Sequence, residues 1–134
     1  MTSQEQTRAS GEKGSKGYKD LLVWQKGIEL VKEIYKLTKA FPGDERFGLI
    51  SQTRRAAASI PSNLAEGQAR HTTGEFIQFV SHAEGSLAEL ETQITVSTEL
   101  GYCAQTSAAR AQELSGELKR MLNALRRTLE KKYS

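Results

Sequence analysis

Chemistry-bearing residues are scarce in this chain. There is one cysteine, Cys103, and there are two histidines, His71 and His82. A lone cysteine excludes an intramolecular disulfide and fits a reducing, cytoplasmic compartment. A di-iron helical bundle needs Glu three positions before His on two helices. Gln68 and Phe79 stand there instead. A zinc site is equally short of ligands. Cys103 has no basic neighbour or base in sequence, which argues against a nucleophile. Gly43, Gly48 and Gly67 lack the Lys-Ser/Thr signature of a phosphate-binding loop. No enzyme, cofactor or metal is therefore expected. Only two prolines occur, no run shows the alternation of a strand, and no apolar stretch approaches the ~20 residues of a membrane span.

What the chain has is helical periodicity. Its 134 residues suit one domain, and 37% apolar against 26% charged residues suits long helices that expose much surface. Residues 1–17 are polar, without periodicity or an apolar segment, and are expected to form a disordered tail rather than a signal peptide. Residues 18–134 are expected to form the folded domain.

The first helix is predicted from Lys19 or Asp20 to Ala40. It carries two apolar stripes. One is Leu21, Trp24, Ile28, Val31, Tyr35 and Thr38; the other is Val23, Gly27, Leu30, Ile34, Leu37 and Phe41. A helix apolar on two faces cannot bury both in a simple one-core bundle. The second stripe, through Val23, Leu30, Ile34 and Leu37, is assigned to an interface with another copy of the chain. Phe41-Pro42-Gly43-Asp44 reads as a turn, with Asp44 as the cap of the second helix.

The second helix contains the most particular stretch, FGLISQTRRAAASIPSNLAEG. Its seam reads Phe47, Ile50, Arg54, Ala57, Pro61, Leu64. Pro61 is expected to kink or break the helix, and Gly67 to end it. Thr72 and Glu75 have capping-box spacing ahead of a third helix with the seam Phe76, Val80, Ala83, Leu87, Leu90, Ile94, Ser97. Gly101 reads as its C-cap. The fourth helix is predicted from Ser107 to Lys132, along Leu114, Leu118, Met121 and Leu125, with weakly packed first turns. Short connections imply an all-α, antiparallel up-down-up-down four-helix bundle.

A seam position puts the Arg54 guanidinium in the core, where it needs a partner. Folding the second and third helices about residue 70 brings Glu84 and Glu91 near its level. Arg54 is therefore expected to pair with Glu84 or Glu91, and Arg54→Ala to cost roughly 3–5 kcal/mol.

Charge is unevenly spread. Residues 69–104 hold one Arg against five Glu, and residues 105–134 hold seven Lys or Arg against three Glu. Opposite charge on the last two helices suits their pairing. It equally suits a basic surface for nucleic acid. The candidates are Arg55, Arg70, Lys119, Arg120, Arg126, Arg127, Lys131 and Lys132. Arg120, Arg127 and Lys131 fall on one stripe. Without a groove-reading motif, binding through them would be to the phosphate backbone and salt-sensitive.

Six segments carry a resemblance. They are Asp20 to Gln25, Phe41-Pro42, Phe47-Gly48-Leu49, Gln52 to Gly67, Gly85 to Glu91, and Leu100-Gly101-Tyr102. Together they resemble the small four-helix-bundle proteins encoded by intervening sequences in bacterial 23S ribosomal RNA genes. The likeness covers about Tyr18 to Tyr102, and the fourth helix matches in character. It implies a left-handed bundle that assembles as a homopentamer. A similar architecture in the accessory variability protein of diversity-generating retroelements implies an RNA or DNA partner. Glu84 departs from the family pattern, where a basic or neutral residue is common. The expectation is thus a non-enzymatic homo-oligomer that binds structured RNA or DNA. The other reading is a protein-interaction scaffold without nucleic-acid binding.

Overall fold

The structure, a computed structural model, describes residues 17–133, with the side chains of 17–132. The tail expected over residues 1–17 lies outside the described residues apart from Gly17. A single 3-10 turn, Tyr18–Asp20, leads into α1, Leu22–Thr38. A 3-10 turn, Gly43–Glu45, and a π turn, Arg46–Ile50, lead into α2, Ser51–Gln68. Then come α3, Thr73–Glu99, and α4, Gln105–Tyr133. No strand occurs among the described residues, and no helix there is long and apolar enough to cross a membrane.

The helices form the all-α four-helix bundle that the periodicity implies. α1 packs on α2 and α4, and α3 packs on α2 and α4. Neighbours run antiparallel. Glu84 reaches Arg126 and Glu91 reaches Lys119, so an advance along α3 is a retreat along α4. Likewise Lys26 of α1 meets Glu117, while Glu33 shares a cleft with Arg110. Arg54 meets Thr38, and Pro61 lies against Gly27. Leu30, Ile34, Ile60, Leu64, Leu87, Leu90, Ile94, Leu114, Leu118 and Leu122 are fully buried at the centre.

Local signals hold at the ends of α3. The Thr72 hydroxyl accepts the Glu75 N–H at 3.1 Å. At the other end Gly101 adopts φ +77°. Tyr102 N donates to Ser97 O and Gly101 N to Thr98 O, which closes the last turn as a glycine-capped terminus does.

α2 departs from expectation in several ways. The backbone breaks at Gly48 (φ −113°, ψ −110°) and not at Pro61. Ala57, Pro61 and Leu64 of the predicted seam are buried, and the departures lie at and just after the π turn. The buried residues are Thr53, Ala56, Ala57, Ile60, Pro61, Leu64 and Gly67. Phe47, placed in the core by heptad reading, is 89% exposed. The helix runs through Pro61 uninterrupted. Nearby, Ser59 Oγ donates to Ala56 O, and Asn63 Nδ2 donates to Ser59 O. Gly67 lies inside the helix, and a Cβ there would sit 2.6 Å from Phe79 Cβ and 3.0 Å from Phe76 Cδ1. The glycine serves close helix approach, not termination. α4 starts earlier than its apolar pattern suggests, and Ala108 and Ala111 are buried in its first turns. Small residues pack there by proximity rather than volume.

The α1 interface assignment is reversed. Val23, Leu30, Ile34 and Leu37 are buried within the chain and face its core. The partly exposed stripe is the other one, through Trp24, Ile28, Val31 and Tyr35. Gly27, on the Val23–Leu37 stripe, is buried against Pro61, which lies 3.5 Å from where a Cβ would stand, an ordinary packing distance.

Candidate nucleic-acid and self-association surfaces

The eight candidate cations divide by what the bundle puts beside them. Arg126 lies where α4 crosses α3. Its Nε donates to Glu84 Oε1 at 3.0 Å, and its other nitrogens reach Asn123 and Glu130. The bond to Glu84 pushes its pKa up. Lys119 pairs with Glu91 at 3.2 Å. Arg70 pairs with Glu66 at 2.9 Å and stacks over Phe79, 4.8 Å from the ring centroid. These three stabilise the chain's own contacts.

The other five, Arg55, Arg120, Arg127, Lys131 and Lys132, are exposed. Among the described residues no carboxylate pairs with them. Arg120, Arg127 and Lys131 share the outer face of α4, with Arg120 and Arg127 about 10 Å apart along the axis. Arg55 stands apart on α2. A spacing present in the sequence separates the two groups. Lys119 and Arg126 are one heptad apart, as are Glu84 and Glu91, so both pairs form together in an antiparallel α3–α4 contact.

The pairing of Arg54 with Glu84 or Glu91 does not form. Arg54 faces α1, not α3, and is only partly buried. Its Nε donates to Thr38 Oγ1 at 2.8 Å, its Nη2 reaches Tyr35 O at 3.4 Å, and its guanidinium lies 4.4 Å from the Tyr35 ring centroid. The π turn rotates residue 53 into the core in place of residue 54. Arg54 thereby meets a hydroxyl, a carbonyl and an aromatic face instead of a carboxylate.

A second surface lies between α1 and α2. Tyr18, Trp24, Ile28 and Val31 line one wall and Ala58, Pro61, Ser62 and Ala65 the other, around an open groove of about 340 Å³. The Tyr18 and Trp24 rings meet edge to face at 5.4 Å. Trp24, a seam residue by periodicity, lines the groove instead.

A cleft of about 490 Å³ lies at the end of the bundle, between Glu33, Lys36 and Leu37 of α1, Ala40 just after it, and the region of Gly101 to Ser107. Cys103 lines it, but burial pushes its thiol pKa up, away from the thiolate a nucleophile needs. Beside it the Tyr102 hydroxyl donates to Glu45 Oε2 at 2.8 Å, and Leu49 N donates to Glu45 Oε1 at 3.0 Å. Glu45 thus ties the α1–α2 connection to the α3–α4 connection. Among the described residues no three His, Cys, Asp or Glu side chains gather as a metal ion would require.

The geometry defines a small all-α bundle with a basic outer face on its last helix and an apolar groove between its first two. A family model for the 23S rRNA-intervening sequence protein matches residues 19–124, and the chain belongs to that family. The match extends well into α4, beyond the segments that carry the resemblance in sequence. No curated protein matches the chain.

Proposed function

We propose that this protein is a non-enzymatic, cytoplasmic homo-oligomer that binds structured RNA or DNA through the phosphate backbone. The observation that carries the reading is the unpaired cationic face of α4, formed by Arg120, Arg127 and Lys131 with Lys132 nearby. The fold spends Arg126 and Lys119 on α3 and leaves these outward cations without an acid. Backbone binding needs clustered positive charge and no groove-entering element. The family membership, with its ribosomal RNA gene context, supports a nucleic-acid partner.

Self-assembly is supported by the α1–α2 groove. A tryptophan, an isoleucine and a valine line it, and burying such side chains against a second copy is strongly favourable. We take the assembly to be a ring, pentameric as the resemblance implies. A protein-interaction scaffold is the second reading, favoured by that same groove.

Fluorescence anisotropy of a labelled ribosomal RNA stem-loop and a DNA duplex, titrated at several salt concentrations, tests the proposal. Binding should weaken steeply with salt. It should be lost in Arg120→Glu/Arg127→Glu/Lys131→Glu while light scattering shows the assembly intact. Absence of binding at low salt rejects the nucleic-acid reading and leaves the scaffold.

A further inference from the structure

We propose that the α1–α2 groove receives the outward face of α3 from a second copy of this chain. The proposal rests on the self-assembly reading and names the surfaces that meet.

The outward face of α3 is unusual for a solvated helix. Ser81, Gly85, Ala88, Thr92, Thr95 and Val96 are all exposed. They recur at the three- and four-residue steps of one helix face. The outer faces of α1 and α4 carry Lys, Arg and Glu instead. Interface cores are depleted of charge in the same manner as this stretch of α3. A Cβ on Gly85 would meet nothing within 4 Å, so no contact inside the subunit explains the glycine. A neighbouring helix that approaches closely does explain it.

Charge complementarity selects α3 as the occupant. α3 contains five Glu and neither Lys nor Arg. Glu84 and Glu91 are used by α4, whereas exposed Glu89 and Glu99 have no cation partner among the described residues. The α2 edge of the groove carries a free cation. Arg55 lies three residues before Ala58 on α2 and is exposed without an acid partner among the described residues. A neutral strip bordered by Glu89 thus matches an apolar groove bordered by Arg55. The two surfaces lie on different helices, so the contact is heterologous. Heterologous contacts form rings when the rotation between copies closes, whereas a groove meeting its own copy gives a two-fold dimer.

Gly85→Arg and Ser62→Glu test this, since both positions are exposed. Wild type should be multimeric by light scattering. Each variant should be monomeric with its helical circular dichroism unchanged, and should melt below wild type only by the stabilisation that assembly supplies. An equimolar mixture should give a one-to-one dimer and nothing larger, because one intact groove meets one intact α3 face. Persistence of the multimer in Gly85→Arg, or no dimer on mixing, would overturn the α3 assignment. A monomeric wild type would instead overturn the self-assembly reading beneath it.

Discussion

Arg54 and Thr38 join α2 to the last turn of α1 through a 2.8 Å bond from Nε to Oγ1. Thr38 is fully buried, and its own hydroxyl donates to Ile34 O at 2.8 Å. The hydroxyl therefore relays between the α1 backbone and a cation held over the Tyr35 ring. One charge-assisted bond and one partly exposed cation–π contact are together worth about 2 kcal/mol. Arg54→Ala should cost about that amount in urea denaturation, less than a broken buried ion pair. Arg54→Lys keeps the charge but not the Nε geometry and should recover only part of it. A loss above roughly 3 kcal/mol would mean that the guanidinium has a carboxylate partner after all.

Gly67 lies against Phe76 and Phe79 where α2 packs on α3. Alanine is the better helix former by about 1 kcal/mol, so an open position would gain stability. Here the added methyl meets Phe79 Cβ at 2.6 Å, and a Cβ on a packed helix cannot swing aside. Overpacking of this kind costs about 1–3 kcal/mol. Gly67→Ala should lower the Tm, and a raised Tm would show that the helices can separate there.

Legibility followed range. Thr72–Glu75 and Gly101 were readable because a cap is decided within a few residues. The start of α2 was not, because the π turn at Arg46–Ile50 interrupts the heptad there, and its cause is the backbone at Gly48, whereas Ala57, Pro61 and Leu64 kept their seam positions. Arg54 and Phe47 both left the core for that reason. The two stripes of α1 were each visible, but their apolar content is nearly equal. The clue lay in Trp24 and Tyr35, whose polar tips favour partly wet sites. The basic stripe of α4 followed from spacing alone. Which cations stay free depended on the α3–α4 register.

The Glu45 carboxylate is held below the ordinary glutamate pKa, chiefly by the Leu49 N–H and then by the Tyr102 hydroxyl. Its folded pKa is depressed, so its contribution is present above the unfolded pKa and lost as pH falls through the carboxylate range. The Tyr102 phenol is shifted upward, first by its bond to Glu45. That contribution is complete below the ordinary tyrosine pKa and lost as pH rises through the folded value. The Tm gap between wild type and Glu45→Gln should be widest near neutrality and shrink in acid. Tyr102→Phe should lie below wild type at neutral pH and converge on it in alkali. A gap independent of pH would indicate packing rather than this bond.

Arg126 and Arg127 are adjacent in sequence and opposite in expected role. Arg126 bridges to Glu84, with both side chains more than two-thirds buried, and the pair is worth about 1 kcal/mol. Arg127 is exposed with no acid partner among the described residues. Arg126→Gln should therefore lower the Tm by a few degrees and leave nucleic-acid affinity nearly unchanged. Arg127→Gln should leave the Tm unchanged, weaken binding, and reduce the slope of log affinity against log salt by about one. Thermal melts and anisotropy titrations on the two variants measure both effects. If Arg126→Gln loses as much affinity as Arg127→Gln, the Glu84 bridge opens when nucleic acid binds and the α4 surface extends to the α3 boundary. If neither substitution changes affinity, the outer face of α4 is a solvated surface, and the backbone-binding reading of that face fails.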